Sequence, residues 1–288
     1  MPEPGLSLAG FMAEDVAQHY LDRCCFLPNK SSKSLRKYWS DAKATLGPPM
    51  ARAGYPDVQD MGSEHDPYLT RVRANPAFEK ALEGMPYSFK LVEIDPLLCF
   101  QFHLETHRSS NLCKSVDDGP TVDDMLPICL PEQLEEIPYN IVEASNGKLR
   151  VRSDSLNLRP CLQGDLSTLL AGDPNKVKAA GIAFAPAAPF LQVVRFRGKC
   201  YIKNGVHRAY GLGKAGATHV PCLFLEARDY RQVAFQPRLE IFQQDVLESV
   251  DPPTIGHFVQ ERAYPVTLRR GFMNISVRWS ARVEIEAA

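Results

Sequence analysis

Residues 201–226 read YIKNGVHRAYGLGKAGATHVPCLFLE, and they decide the fold. The first residues form a β-prone run that stops at Asn204-Gly205, a dipeptide that tolerates positive φ and therefore turns the chain sharply. We expect a helix to begin near Val206 and to end between Gly213 and Gly216. The apolar run from Val220 to Glu226 then predicts a buried strand. The predicted order is strand, turn, helix and strand.

The residues upstream extend this pattern. Leu191 to Phe196 is predicted to be a strand, Arg197-Gly198 a turn, and Lys199 to Lys203 the second strand of a hairpin. An earlier strand is predicted over Phe89 to Ile94 (FKLVEI), directly before Asp95-Pro96. Together these segments predict a compact mixed-sheet core with a helix packed on it, within an α+β fold.

The turn at Asn204-Gly205 has the chemistry of an anion site. A helix that starts directly after a tight turn points unpaired N–H groups and the positive end of its dipole at whatever lies over the turn. His207 and Arg208 fall in the first turn, where a guanidinium can grip phosphate oxygens and an imidazole can donate a further hydrogen bond. A cation at a helix N-terminus opposes the dipole by roughly 0.3–1 kcal/mol, so two adjacent ones favour a bound anion.

This part of the sequence resembles the ParB/sulfiredoxin-like superfamily. NG-x-HR, a short helix, a glycine and Val-Pro before an apolar strand follow the order of that superfamily, whose members carry a G-x-HR or G-x-RR turn at the nucleotide phosphates. FKLVEIDPLLCFQ is similar to its opening strand and the proline-containing segment after it. The likeness covers Phe89 to Ile94 and Phe190 to Asp229. It implies that ATP or CTP binds with Mg²⁺, and that the nucleotide-binding residues include Asn204, Gly205, Val206, His207 and Arg208.

The chain departs from two members of this superfamily at the turn. Sulfiredoxin has its catalytic cysteine immediately before the His-Arg pair, whereas this chain has Val206 there, and the nearest thiol is Cys200 in the preceding strand. Chromosome-partitioning ParB proteins have two arginines at the turn and a helix-turn-helix reader downstream, whereas the C-terminal region here is predicted to form strands. We therefore expect neither sulfinic-acid reduction nor a sliding DNA clamp.

The remaining relatives include nucleotide-dependent kinases of small substrates and proposed nucleases, in which a carboxylate beside the phosphates acts as a base or metal ligand. The resemblance makes Glu93 and Asp95, at the end of the opening strand, the catalytic candidates together with His207. Gln101 or His103, which follow that strand, are expected to reach the nucleotide pocket. The leading hypothesis is hydrolysis of ATP or CTP, or transfer of a phosphoryl group, by a nucleoside triphosphatase or phosphotransferase.

Two alternatives stay open. The core could be a non-catalytic sensor or adaptor that binds nucleotide or nucleic acid and docks a protein partner through its N- or C-terminal region. It could instead be a metal-dependent ParB-like nuclease that uses Glu93 and Asp95. A nucleic-acid platform is also suggested by arginines that alternate with aromatics near the C-terminus, although a half-buried sheet with charged outer positions gives the same pattern more often. These residues are Arg269, Arg270, Phe272, Arg278, Trp279 and Arg282.

Three other patterns are not interpreted as sites. Gly211, Gly213 and Gly216 spell G-x-G-x-x-G, but they follow helical residues instead of a strand, so we interpret them as a helix end and loop. A P-loop fails because alanine follows Lys214. His103 and His107 are four residues apart but lack further metal ligands, so no protein metal site is predicted.

Composition limits the remaining classes. The chain has 288 residues and a formal net charge of -1, which gives no support for a protein held by nucleic-acid phosphates alone. Eight cysteines without a Cys-x-x-Cys pair predict free thiols in a cytoplasmic protein. We expect no membrane span, because the most apolar run, Ala179 to Val194, is too short and contains prolines. MPEPGLSLAG has no basic segment, so no secretory signal is expected.

Three regions are predicted along the chain. Residues 1–86 form a helical N-terminal region, with helices expected over Ala13 to Cys25 and Asp66 to Leu82. Residues 87–229 form the nucleotide-binding core, interrupted by an insertion of about 103–185. Residues 230–288 form a β-rich extension.

Within the insertion, an irregular excursion is predicted over Cys113 to Pro138. Tyr139 to Leu158 is predicted to form a hairpin around Asn146-Gly147, and Asp165 to Ala180 a helix. The basic, serine-rich run at residues 28–43 is interpreted as a solvated helix face.

Overall fold

The computed structural model describes residues 2–27, 31–133, 137–145, 148–153, 158–165, 180–186, 189–233, 242–269, 271 and 273–278. For residues 145, 159–165 and 180–186 only the backbone is described. The chain divides into two compact units. The first comprises Met1–Gln133 with Ala188–Arg270, and the second comprises Leu134–Ala187 with Gly271–Ala288. The N-terminal region therefore belongs to the same unit as the predicted core.

Helices and mixed sheets confirm the α+β class. The described helices are α1 (Glu14–Cys24), α2 (Ser32–Thr45), α3 (Asp66–Arg73), α4 (Phe78–Leu82), α5 (Thr106–Leu112), α6 (Val122–Cys129), α7 (Val206–Lys214), α8 (Tyr230–Val233), α9 (Gln244–Leu247) and α10 (Ile255–Val259). Among these described residues, no helix is long and apolar enough to cross a membrane.

The strands fall into four sheets among the described residues. In chain order they are β1 (Glu3–Ser7), β2 (Val58–Asp60), β3 (Tyr87–Glu93), β4 (Leu98–Cys99), β5 (His103–Glu105), β6 (Asn140–Ser145), β7 (Lys148–Ser153), β8 (Leu158–Asp165), β9 (Ala180–Pro186), β10 (Gln192–Phe196), β11 (Lys199–Asn204), β12 (His219–Glu226), β13 (Tyr264–Leu268) and β14 (Met273–Arg278).

The largest sheet is the predicted core. Its six strands lie in the order β2-β3-β12-β10-β11-β4, with β10 parallel to β12, β11 parallel to β4 and the other neighbours antiparallel. Val220 to Leu225 are all buried, because this central strand is covered on both faces, and helices α6 and α7 pack against it. The hairpin of β10 and β11, helix α7 and β12 match the predicted elements within one or two residues.

A second sheet of the first unit differs from the sequence prediction. Strand β1 lies between β13 and β5 and is antiparallel to both, so a region predicted to be helical begins with a central strand. Its sequence, EPGLS, contains a proline and a glycine, which disfavour strands. The pairing partners lie about 100 and 260 residues away along the chain, and this long-range pairing overrides the local preference.

The insertion is more regular than predicted. Cys113 to Pro138 was expected to be irregular, but α6 lies within it and begins with a capping box of Thr121 and Asp124. In the second unit, β6 and β7 form the predicted antiparallel pair, while Asn146-Gly147 lie outside the described residues. Most of the helix predicted over Asp165 to Ala180 also lies outside them.

The two remaining predicted helical segments are confirmed, with one interruption. Helix α1 spans the first predicted segment, and α3 and α4 share the second, broken at Asn75-Pro76. The basic run forms α2, where Arg36 pairs with Glu14 and Lys37 with Asp41 on an exposed face. Strand β13 belongs to the first unit and β14 to the second, so the predicted C-terminal extension is divided between them.

A buried histidine links the stability of this unit to pH. His257 is fully buried, its Nδ1 accepts the N–H of Thr254 at 3.1 Å, and its ring lies edge-on to Phe11. Burial, with a smaller contribution from Arg262, lowers the pKa of His257 to about 4. Between about pH 6.5, the ordinary pKa of histidine, and about pH 4, His257 is protonated in the unfolded chain but stays neutral in the folded chain. The free energy of unfolding therefore falls as the pH is lowered from about 6.5 towards 4.

The wild type should lose unfolding free energy when the pH is lowered from 7 to 5. We expect this loss to be smaller by about 2 kcal/mol in His257→Gln, because glutamine does not titrate. Urea denaturation at the two pH values measures this difference. The exposed His107→Gln is the matched control and should keep the wild-type pH dependence. Identical losses in the wild type and both variants would contradict the assignment.

Candidate functional site

Gly205 makes the turn between β11 and α7. It has φ 101° and ψ 18°, a left-handed conformation that side chains strongly disfavour. A Cβ built on it would lie 2.8 Å from Cγ of Leu191, so neither the conformation nor the space admits a larger residue. Asn204, the last residue of β11, donates from Nδ2 to the carbonyl of Phe190 at 2.9 Å and ties the turn to the segment before β10.

The first two backbone amides of α7 have neither a capping side chain nor an acceptor within the described part of the chain. The amides of Arg208 and Ala209 donate to the carbonyl of Gly205 at 3.0 and 2.9 Å. No side chain caps the helix, and the amides of Val206 and His207 have no acceptor among the residues that the structure describes. Residues 204, 205, 207 and 208 are all partly exposed. These amides and the positive end of the helix dipole therefore form an anion-binding geometry.

His207 makes a hydrogen bond to another helix that the sequence did not suggest. Its Nε2 accepts the backbone N–H of Glu105 at 3.2 Å, which joins the first turn of α7 to the start of α5. Burial is the largest cause that lowers the pKa of His207 to about 3, followed by the positive charge of Arg108 and the neighbouring His103 and Arg208. The imidazole is thus neutral near pH 7 in this structure, because its packed position disfavours the charged form.

The groups around His207 are basic. Arg208 donates from Nη1 to the carbonyl of Pro189 in the segment before β10. Arg108 lies in the first turn of α5, close enough to affect the pKa of His207, and His103 does so from β5. Apart from burial, every group that shifts this pKa is a basic side chain. The surroundings of the turn therefore favour an anion.

Gln101 comes two residues after β4, at the edge of the sheet where the turn also lies. Strand β4 runs parallel to β11 with Leu98 beside Tyr201, and both strands end near this edge. The side-chain oxygen of Gln101 is buried and accepts no hydrogen bond from the described residues. A buried acceptor without a donor is unfavourable.

Glu93 and Asp95 lie at the other end of α7. Glu93 pairs with His219 across β3 and β12, and the amide of the intervening Ile94 donates to Thr218. These partners follow the C-terminus of α7, and nine residues at ~1.5 Å each place that end about 13.5 Å from the N-terminus. The structure therefore groups Asn204 to Arg208 with the edge that carries Gln101, and it separates both carboxylates from that group.

Both carboxylates already have partners. Oε2 of Glu93 accepts the N–H of Asp57 at 2.8 Å and lies 3.3 Å from Nη1 of Arg52. Oδ2 of Asp95 accepts a hydrogen bond from Nε2 of Gln260. These bonds fasten the end of β3 to neighbouring loops, which is a structural use of the two acids.

The glycines of α7 serve packing. Gly211 and Gly213 lie inside the helix, although the sequence suggested a helix end. A Cβ at Gly211 would lie 2.6 Å from Sγ of Cys113, and one at Gly213 would lie 2.9 Å from a methyl of Val259. These glycines let α5 and α10 approach α7 closely, and Gly216, with φ 93°, makes the turn after the helix.

Sequence reasoning did not find Arg108 or Pro189. Arg108 lies in α5, within a segment assigned to an insertion, and no local motif marks it. Its position follows only from the packing of α5 on α7, which joins residues about 100 positions apart. Pro189 acts through its carbonyl, and a backbone atom leaves no signal in the sequence.

The described residues contain no group of histidine, cysteine or acidic side chains that could hold a metal ion. The groups at the turn are amides and cations, which suit phosphate oxygens and not Mg²⁺. The described cysteines are all free thiols.

No protein-family model, no curated protein and no solved structure matches this chain. The resemblance to the ParB/sulfiredoxin-like superfamily therefore rests on the residues quoted above.

Gly205→Ala should destabilise the protein more than Gly84→Ala. Both glycines have positive φ, but nothing lies within 4 Å of a Cβ at Gly84, whereas Leu191 blocks the position at Gly205. We expect the extra loss in unfolding free energy to be at least about 1 kcal/mol, because the overlap forces the neighbouring chain to move. Urea denaturation of the two variants measures it, and equal losses would show that Leu191 does not confine the turn.

Proposed function

We propose that this chain is a nucleotide-binding protein that holds the ligand's phosphates at the N-terminus of α7. The observation that carries the proposal is that the amides of Val206 and His207, behind Gly205, have no side-chain cap and no acceptor among the described residues. Two amides at a helix N-terminus bind a phosphate oxygen through hydrogen bonds and through the helix dipole together. Arg208 and Arg108 add positive charge beside them.

The resemblance of NG-x-HR to the ParB/sulfiredoxin-like turn narrows the anion to a nucleotide, with ATP or CTP as the first candidates. His207 contributes as a positioning residue. By accepting the N–H of Glu105 it fixes the start of α5, and with it Arg108, against the turn.

The placement of the acids favours binding over turnover. A general base or metal ligand for phosphoryl transfer has to lie within hydrogen-bond reach of the reacting groups. Glu93 and Asp95 lie about one helix length from the turn and are engaged by Arg52, the amide of Asp57 and Gln260. Of the hypotheses from the sequence, the non-catalytic nucleotide sensor therefore agrees best with this geometry. The free thiols support a reducing compartment, and we propose the cytoplasm.

Replacement of Arg208 should weaken nucleotide binding. A charge-assisted hydrogen bond contributes about 1.5–3 kcal/mol, so Arg208→Ala is expected to raise the Kd for ATP or CTP by about ten- to a hundredfold. Arg208→Lys keeps the charge but loses the planar guanidinium, so its Kd should lie between those of the wild type and Arg208→Ala. Isothermal titration with magnesium nucleotides measures this, with the exposed Arg231→Ala as the control.

Equal binding by the wild type and Arg208→Ala would remove the proposal, and so would absence of binding to both proteins. A circular dichroism melting curve of each variant separates lost binding from lost folding, because Arg208 also holds Pro189.

Glu93→Gln and Asp95→Asn should leave the Kd for nucleotide within about threefold of the wild type, because both acids lie at the far end of α7. We also expect nucleotide to be recovered intact after incubation with magnesium. Chromatography of the nucleotides tests both the wild type and the two variants. Turnover by the wild type that Asp95→Asn abolishes would restore the hydrolytic hypothesis.

A further inference from the structure

The three-stranded sheet of the second unit has two chemically different faces. Its order is β14-β7-β6, with both pairs antiparallel, so residues directly opposite each other share a face. Leu149, Val151, Ile275 and Val277 lie on one face, and Val151 is fully buried. The other face, called here the basic face, carries Asn140, Glu143, Lys148, Arg150, Arg152, Asn274, Ser276 and Arg278.

The charge of the basic face opposes that of the whole chain. Four basic side chains and one acidic side chain give the described part of this face a net charge of +3, whereas the full chain has -1. Arg152 and Arg278 are exposed, as are the polar side chains of Asn274 and Ser276 beside them. Glu143 is the single acid of the described face, and its Oε2 lies 3.1 Å from Nζ of Lys148 and 3.5 Å from Arg150.

The basic side chains form a row. Lys148, Arg150 and Arg152 alternate along β7, so successive cations are about 7 Å apart and the row extends about 14 Å. Arg278 stands opposite Lys148 on β14, roughly 5 Å to the side. A point anion would use one or two of these groups, whereas a chain of regularly repeated anions can contact all of them.

We propose that the basic face binds the phosphodiester backbone of a single-stranded nucleic acid. Arginine is suited to phosphate because its planar fork donates two parallel hydrogen bonds. The amides of Asn140 and Asn274 lie on either side of Arg152, and the hydroxyl of Ser276 lies beside Arg150, where these groups can bond sugar or base edges. A broad three-stranded sheet suits an extended single strand, whereas reading a duplex groove requires a helix or a narrow ribbon.

The sequence alone did not join these residues. Arg278 belonged to a C-terminal pattern, whereas Lys148, Arg150 and Arg152 lay in a hairpin predicted within the insertion. The pairing of β14 with β7, across about 125 positions, brings the two sets together. The proposal does not depend on nucleotide binding at α7.

The test measures fluorescence anisotropy of labelled single-stranded RNA and DNA with the full chain over a range of salt. The triple variant R150S/R152S/R278S should bind at least tenfold more weakly, and its slope of log affinity against log salt should be shallower by about 2, since each lost phosphate contact removes ~0.7. The matched control is R36S/R71S/R231S, which removes three exposed, ion-paired arginines elsewhere. It should bind like the wild type.

A second variant distinguishes lost phosphate contacts from a folding defect, because it is expected to strengthen binding. Glu143→Gln removes the one acid of the described face, so binding should strengthen about two- to fivefold. The RNA and DNA arms show which sugar the face prefers.

Three results would overturn the proposal. The first is absence of binding to either strand at the lowest salt. The second is equal weakening by the face variant and the control variant. The third is retention on phosphatidylserine vesicles without binding to the oligonucleotides, which would assign the face to a membrane surface.

Discussion

The site depends on one backbone conformation, the positive φ of Gly205. Because this residue has no side chain, Leu191 can pack against the turn, and β11 can pass into α7 without an intervening loop. The short connection leaves the first amides of the helix without a capping side chain. The same connection places Arg208 beside the segment before β10, where the carbonyl of Pro189 accepts a hydrogen bond from its guanidinium. The donors of the proposed anion site are thus arranged by the fold itself.

His207 shows how a basic residue in such a motif can act without charge. Its ring is packed against the start of α5, and the cost of burying a charge keeps it neutral. A protonated imidazole would lose the hydrogen bond from Glu105, because both ring nitrogens would then be donors. The residue therefore orders the start of α5, the helix that carries Arg108.

Local sequence patterns predicted the core well and the site in part. The hairpin, α7 and β12 are encoded by neighbouring residues, namely turn glycines and an apolar run, so the pattern near residues 191–226 was sufficient. The position of Arg108 and the central place of β1 depend on pairing between distant segments, which local propensity does not encode. Glu93 illustrates the opposite case. Its strand was predicted correctly, but the antiparallel pairing of that strand with β12 places its end far from the turn.

The most direct test of this account is to follow the backbone amides of α7 by NMR while pyrophosphate, and then ATP, is added. The account predicts saturable shifts that are largest for Val206 and His207, with equal midpoints for both amides. It also predicts that the shifts of Arg208→Lys saturate only at higher ligand concentration. Unchanged amides at Val206 and His207, with shifts elsewhere or nowhere, would contradict the claim that this turn is an anion site.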